Sequence, residues 1–364
     1  MFRHIKLESI DDLKGYLKNH IFRHVYVSGA YYQYPDGQTM TQKNWLGMDY
    51  LIDIDCDHFE TSCKSKHDSW QCLNCGKNGK GRPPKSCSCG SSRFSEFNWI
   101  CDICLEQSKK EVLKFIDIFL PSFDIPRDEI TVHFSGNRGY HIIIQSEKIR
   151  HFNQMERREF VDYLTGAGLD LKFHGRIERK KYIPPDPKER FGWGEYIYNG
   201  LIKLINDCDN GSLNEVNIST RMKNIIINKK QTILDELKSV YHSVRSISTE
   251  TWSKLVEYVK KDIAMKLDSP VSIDLHRLIR FPNSLHGKTG FIVKEIDIDK
   301  LEEFDPFSDA IAFLENAHIK VEMMGCPEFR IKDQIYGPYD KNQKIEFPLP
   351  AAIFVLAKEV GKFI

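Results

Sequence analysis

From residue 50 the chain reads Tyr-Leu-Ile-Asp-Ile-Asp-Cys-Asp, with apolar residues and carboxylates alternating at a period of two. In an extended strand successive side chains take opposite faces, so Ile52, Ile54 and Cys56 are expected in a core while Asp53, Asp55 and Asp57 project together from the other side. Elsewhere the period is that of helices. Ile10, Leu13, Leu17 and Ile21 predict a helix over 8–21 with Ser9 as its N-cap. Val112, Phe115, Ile116 and Phe119 predict a second, ended by Pro121. Trp252, Leu255, Val256, Val259 and Ile263 mark the clearest helix of a mostly helical stretch from about 199 to 266. Strands are expected at 23–27, 30–34, 130–134, 141–144, 270–274 and 291–293, a helix near 308–316, and a final apolar helix over 349–360. Strand-bearing portions on both sides of a helical segment predict a mixed α/β (α+β) chain in which that segment is inserted.

At 364 residues the chain suits two modules, or one large module with insertions. Its net charge is +1, so a nucleic-acid partner would have to be met by local basic patches rather than by an overall field. No apolar run approaches the roughly 18 residues of a membrane span, and no signal-peptide core follows Met1. A cytoplasmic protein is expected.

Aspartate is disfavoured in strands, and carboxylates aligned on one face repel one another, so Asp53 and Asp55 call for a compensating hard cation such as Mg²⁺ or Mn²⁺. A solvated edge strand is the alternative. Of ten cysteines, eight lie between Cys56 and Cys104. Cys63-x-x-x-His67, Cys72-x-x-Cys75, Cys87-x-Cys89 and Cys101-x-x-Cys104 have the spacing of zinc ligands. Two structural zinc ions are expected, one on Cys72, Cys75, Cys87 and Cys89 and one on Cys63, His67, Cys101 and Cys104; disulfides or free thiols are the alternative. The turn Ser135-Gly-Asn-Arg138-Gly, with His141 beyond it, could hold a phosphate, or be a plain hairpin turn carrying an exposed arginine. The loop running from Arg280 through His286 and Lys288 to Gly290 is a second phosphate candidate. A basic and aromatic stretch at 172–190 suits either single-stranded nucleic acid or solvent.

Three of these segments, Leu51-Ile-Asp53-Ile-Asp55, Ser135-Gly-Asn-Arg138-Gly-Tyr-His141 and Arg277-Leu-Ile-Arg280-Phe-Pro-Asn-Ser-Leu-His286-Gly-Lys288-Thr-Gly290, occur in that order with a zinc motif between the first two. As an ordered set, from about residue 20 onward, they closely resemble the catalytic small subunit of the archaeal and eukaryotic replicative DNA primases. The resemblance implies a mixed-sheet primase fold with an RRM-like half. One catalytic domain over 1–364 would be interrupted by a zinc-binding element at 58–104 and a helical subdomain at about 195–266. It implies primer synthesis during DNA replication, with short oligonucleotides made de novo from nucleoside triphosphates on single-stranded DNA by two-metal nucleotidyl transfer. The enzyme would be a DNA-directed RNA polymerase working in a primosome, in the cytoplasm with the nucleoid-associated replication machinery. Its partner would be a primase large subunit carrying an iron–sulfur domain.

By position, Asp53 and Asp55 match two aspartates that hold Mg or Mn in that family. Asp268 matches the third by its distance ahead of the Leu-His-Gly-Lys-Thr-Gly run, although local pattern points to Asp274. Ser135, Arg138, His141, Arg280, His286 and Lys288 match residues that hold the incoming triphosphate. Asn137 and the segment Arg23-His24-Val25 depart from the family pattern, and the Cys72/Cys75/Cys87/Cys89 ribbon is additional to its shared zinc site. A primase-like repair polymerase and a non-catalytic zinc-ribbon module that binds nucleic acid are the competing readings.

Overall fold

A computed structural model describes residues 2–170, 176–178, 181–183, 190–238 and 246–364. Most of the basic stretch at 172–190 lies outside the described residues. The chain divides into two compact units. Met1–Leu113, Ile125–Arg158 and Lys266–Ile364 make the first, and Lys114–Asp124 with Glu159–Met265 the second. Helices and several antiparallel sheets make the fold α+β.

The centre of the first unit is a four-stranded antiparallel sheet. Its strands are β1 (Tyr50–Asp55), β2 (Ile130–Phe134), β3 (Gly139–Ile144) and β4 (Lys294–Ile296), in the spatial order β4-β2-β3-β1. On one face Tyr50, Ile52, Ile54, Val132, Phe134, Tyr140, Ile142 and Ile144 are fully buried. Each such side chain contributes roughly 1.5–3 kcal/mol, which holds the sheet in one register. The other face carries Asp53 and Asp55. The alternation stops there, because Cys56–His58 turns into a 3₁₀ helix and Asp57 leaves the strand.

Arg157 pins the start of β1. It is fully buried, donates to the carbonyls of Met48 (2.6 Å) and Asp49 (3.3 Å), and its own carbonyl accepts from the Tyr50 hydroxyl (2.9 Å). Two backbone acceptors that strand pairing leaves open are thereby satisfied.

Several local expectations need correction. The segment 270–274 is not a strand: Ser269–Ile273 is a short helix that begins with Pro270 in its first turn, where a missing N–H costs nothing. The helix expected at 308–316 is only Pro306–Asp309, capped by Asp305. The helix expected over 8–21 is present as Ile10–Asn19 with Ser9 as its cap, and none of its residues is buried. The pattern around 318–348, unassigned from sequence, is a pair of long strands, His318–Cys326 and Tyr339–Pro348, joined in one sheet by Gly361–Phe363. Against that sheet packs the apolar helix Leu349–Ala357, whose Phe354 stacks with Phe329 and meets the Trp99 ring edge-on.

The second unit is helical apart from a short hairpin, Arg176–Glu178 with Lys181–Ile183. Its core is formed by Trp193–Asn206, Lys230–Lys238 and Thr249–Ile263, with Ile197, Leu201, Ile233, Leu237, Leu255 and Val259 inside. Ser248 caps the last of these helices by accepting from the Thr251 N–H.

Candidate active site

The polar face of the central sheet lines a cleft of about 210 Å³. From it a cross-strand row runs over the sheet: Asp53 stands opposite His141 on β3, His141 opposite His133 on β2, and His133 opposite Glu295 on β4, and of these Asp53 and His141 line the cleft. His141 Nε2 lies 3.4 Å from Asp53 Oδ1. Asp55 is paired with Gly139, where a Cβ would come within 1.8 Å of the Ile54 carbonyl oxygen; the two strands approach this closely only because the residue is glycine.

Burial pushes the Asp53 carboxyl up, the Asp268 charge pushes it further, and Arg277 and His58 oppose the rise. Asp55 is likewise raised, first by burial and then by Asp53, with Arg138 opposing. Asp53 Oδ1 is buried and has no hydrogen-bond partner among the described residues. An orphaned oxygen in an acidic cluster fits a divalent cation, the group that would lower all of these carboxyls at once.

Asp268 immediately precedes the Ser269–Ile273 helix, without a capping bond from its side chain, and its N–H donates to the Asp53 carbonyl at 2.9 Å. This bond ties the helix to β1 and brings a third carboxylate next to the pair. Asp274 is elsewhere: its Oδ1 accepts from the His276 N–H at 2.9 Å, and its charge acts on Tyr32 and Arg157 rather than on the Asp53/Asp55 pair.

The turn between β2 and β3 forms one wall. Ser135 Oγ accepts from the Gly139 N–H (3.2 Å) and the Asn137 N–H (3.4 Å), folding the turn around its own hydroxyl. Gly136 has φ +80°, and a Cβ there would press on His286. The Thr289 hydroxyl donates to the Gly136 carbonyl, so this turn and the 286–290 loop clasp each other. Arg138 crosses back over the acidic strand, 2.7 Å from Asp57 and 3.4 Å from Asp55. Ser135, Arg138, His141, Arg280, His286 and Lys288 all line the same cleft.

The imidazoles here are held neutral. Burial pushes His141 down to about 4, with Arg280 and Arg277 adding to the fall against Asp55. Burial also lowers His286, helped by Arg280, His24, Lys358 and Lys288. A wall of cations with neutral, buried imidazoles is a surface for an anion.

Three contributors were given no role by the sequence reading. Arg277 lines the cleft beside Asp53. His24 Nδ1 lies 2.5 Å from Arg280 Nη1 and accepts from the Gly287 N–H at 3.3 Å, so the atypical Arg23-His24-Val25 segment buttresses the 286–290 loop. Lys358, at the end of the apolar C-terminal helix, reaches Asn137 Oδ1 at 3.3 Å. No sequence signal marks Lys358, since its distance along the chain from the turn hides the contact.

The eight zinc-type residues gather into two clusters, Cys63, His67, Cys101, Cys104 and Cys72, Cys75, Cys87, Cys89. Within each, the ligand atoms lie within 4.8 Å of one another. Sulfur separations of 3.4 Å (Cys63–Cys104) and 3.6 Å (Cys72–Cys89 and Cys75–Cys87) are near the roughly 3.8 Å of a tetrahedral site with ~2.3 Å bonds. All ten cysteines are unbridged. In the first cluster His67 Nδ1 is bonded to Asp68 Oδ1 at 2.7 Å, which leaves Nε2 to face Cys104.

Residues 98–298 match the family model described as DNA primase small subunit. This chain belongs to that family. Primase small subunits named PriS align with it over almost its whole length. That of Methanothrix thermoacetophila is 29% identical over 390 residues, covering 99% of this chain and 89% of the relative. That of Nitrosopumilus maritimus is 29% identical over 371 residues, with 99% and 88% covered. That of Thermoplasma volcanium is 30% identical over 338 residues, with 91% and 79% covered. The matched primase region contains both loops of the cleft and Asp268, and the acidic strand and the Cys72–Cys89 ribbon precede it. Among the described residues of this primase small subunit no helix is long and apolar enough to cross a membrane.

Proposed function

We propose that this chain is the catalytic subunit of a replicative DNA primase, making short oligonucleotides de novo on single-stranded DNA from nucleoside triphosphates. The observation that carries the reading is one small cleft lined by both Asp53 and Asp55, with Asp268 bonded through its N–H to Asp53, and by Arg138, Arg280, His286 and Lys288.

Asp53, Asp55 and Asp268 would hold two Mg²⁺ or Mn²⁺ ions. When bound, such ions lower the pKa of an attacking 3′-hydroxyl and neutralise the triphosphate of the incoming nucleotide. The chain's own groups do the rest. Arg138 and Arg280 bring guanidinium forks to the phosphate oxygens, and Lys288 adds a point charge. Ser135 and the backbone N–H groups of its turn orient the phosphates, while His141 and His286, kept neutral by burial, donate or accept single hydrogen bonds without adding charge. Lys358 holds Asn137 from behind. Positioning and electrostatics of this kind account for most of the catalytic demand of in-line displacement at phosphorus.

The two cysteine clusters would hold zinc, as closed four-ligand sites without an open position for chemistry. The partner is a primase large subunit, as the name of the relatives implies. A test is template-dependent synthesis on unprimed single-stranded DNA with nucleoside triphosphates and Mg²⁺ or Mn²⁺, with Asp53→Asn as control. New oligonucleotides from the parent and none from the variant are expected. Extension of a supplied primer without any unprimed synthesis would instead make it a repair-type polymerase, and no nucleotide incorporation at all would leave a binding module.

A further inference from the structure

Resting on the primase reading, we infer that Lys64 is a positioning residue for the incoming nucleotide, fixing from outside the cleft the turn that holds Arg138 beside the acidic strand. Lys64 opens the short helix Lys64–His67, between the cluster residues Cys63 and His67. It is buried, and its ammonium is met by backbone: Nζ donates to the carbonyls of Phe59 (2.6 Å), Cys56 (2.8 Å) and Asp57 (3.2 Å). An ammonium has three N–H donors, so this set uses all of them. Burying a charge is costly unless its donors are paired, and these carbonyls converge on one point only while the chain between them stays coiled. Lysine and turn therefore hold each other in one conformation.

The caged segment is the 3₁₀ turn Cys56–His58 that leaves β1. Two of its groups grip Arg138. The Cys56 N–H donates to the Arg138 carbonyl at 2.9 Å, and the Asp57 carboxylate lies 2.7 Å from the Arg138 guanidinium. Backbone and side chain of the arginine are thus both tied to a turn whose own carbonyls bond Lys64. Other support is longer or wetter. Ser108, on the helix Asp102–Lys114, donates to the Arg138 carbonyl at 3.5 Å, and Arg82, with a side chain 51% exposed, reaches the Asp57 and Phe59 carbonyls at 3.4 Å. Arg138 itself lines the cleft, 3.4 Å from Asp55. A guanidinium fork serves a phosphate only where it is aimed, and a misplacement of about 1 Å at a positioned group can cost about a hundredfold.

The experiment titrates a fluorescent nucleoside triphosphate, with Mn²⁺ present, into the full chain, its Lys64→Met and Arg138→Ala variants and the double variant. Each single variant should weaken triphosphate binding by about tenfold, and the double variant should be about as weak as Arg138→Ala alone, because one effect runs through the other. A loss of about a hundredfold in the double variant, the product of two independent effects, overturns the proposal. So does unchanged binding in Lys64→Met. Zinc content should match the parent throughout. If Lys64→Met loses zinc, Lys64→Gln is read in its place against Arg138→Ala, with about a threefold loss expected because its amide keeps part of the donor set. Loss of zinc from both overturns the proposal, since the lysine then serves the cluster and not the cleft. Binding is read without synthesis. A parent that binds triphosphate and makes no oligonucleotide defeats the primase reading alone, whereas a parent that primes beside a Lys64→Met variant that binds as tightly defeats this proposal alone.

Discussion

Lys358 Nζ lies 3.3 Å from Asn137 Oδ1, joining the end of the C-terminal helix to the turn between β2 and β3. The ammonium sits 5.5 Å over the Trp99 ring and within the fields of Arg138 and Lys288. Burial first and Arg138 next push it down to about 7. A cation so placed is costly when the cleft is empty and favourable when a polyanion occupies it.

Lys358→Met should accordingly raise the nucleotide KM by about tenfold at pH 7 and leave kcat within a few-fold, since a charge-assisted hydrogen bond is worth roughly 1.5–3 kcal/mol. The Lys358 pKa is depressed, so its charge is lost as pH rises through about 7. Nucleotide affinity of the parent should fall over that range, and Lys358→Met should lack this component. Identical pH profiles for the two proteins would refute the role.

The acidic pair makes a pH prediction of the opposite kind. Asp53 is raised from the ordinary 3.8 to about 6 by burial and then by Asp268. A raised carboxyl favours the fold at acid pH, and that contribution disappears as pH rises through about 6. Without added divalent ion, Asp53→Asn should therefore be more stable than the parent at pH 7.5, by about 1–3 kcal/mol, with the advantage shrinking toward pH 4.5. Added Mn²⁺ should stabilise the parent and not the variant. Melting curves at the two pH values, with and without the ion, check both arms.

Asp268 and Asp274 are separated by their partners. One is hydrogen-bonded through its N–H to Asp53, and the other closes a turn with His276. Asp268→Asn should abolish synthesis and weaken Mn²⁺ dependence, whereas Asp274→Asn should leave both within a few-fold and cost about 1 kcal/mol of stability. Titrating Mn²⁺ against synthesis for each variant decides between them, and the reverse pattern would reassign the third ligand.

Each cysteine cluster should carry one ion. Cys72→Ser removes a ligand from a site whose folding and metal binding are coupled, so zinc content should fall from about two to about one per chain. Hydrogen exchange should quicken across 70–95 and not around Cys63 and Cys104. Elemental analysis giving one ion in the parent would overturn this.

The sequence by itself determined everything governed by a short repeat. The period-two run made β1 a strand with opposed apolar and acidic faces up to Asp55, and the close cysteine pairs specified which side chains could share an ion. Helical periodicity found the Thr249–Ile263 helix with its buried face. The same rule found Ile10–Asn19, none of whose residues is buried, because periodicity reports an apolar stripe and not whether anything covers it. Only the tertiary structure decided that Ser269–Ile273 is a helix delivering Asp268 to Asp53, since five residues opened by a proline are too few for a period to tell helix from strand. It also decided that Arg277 lines the cleft and that His24 and Lys358 brace its two loops. Their contacts bridge up to 263 residues of chain, and they depend on which surfaces the packed sheets bring together rather than on neighbouring residues.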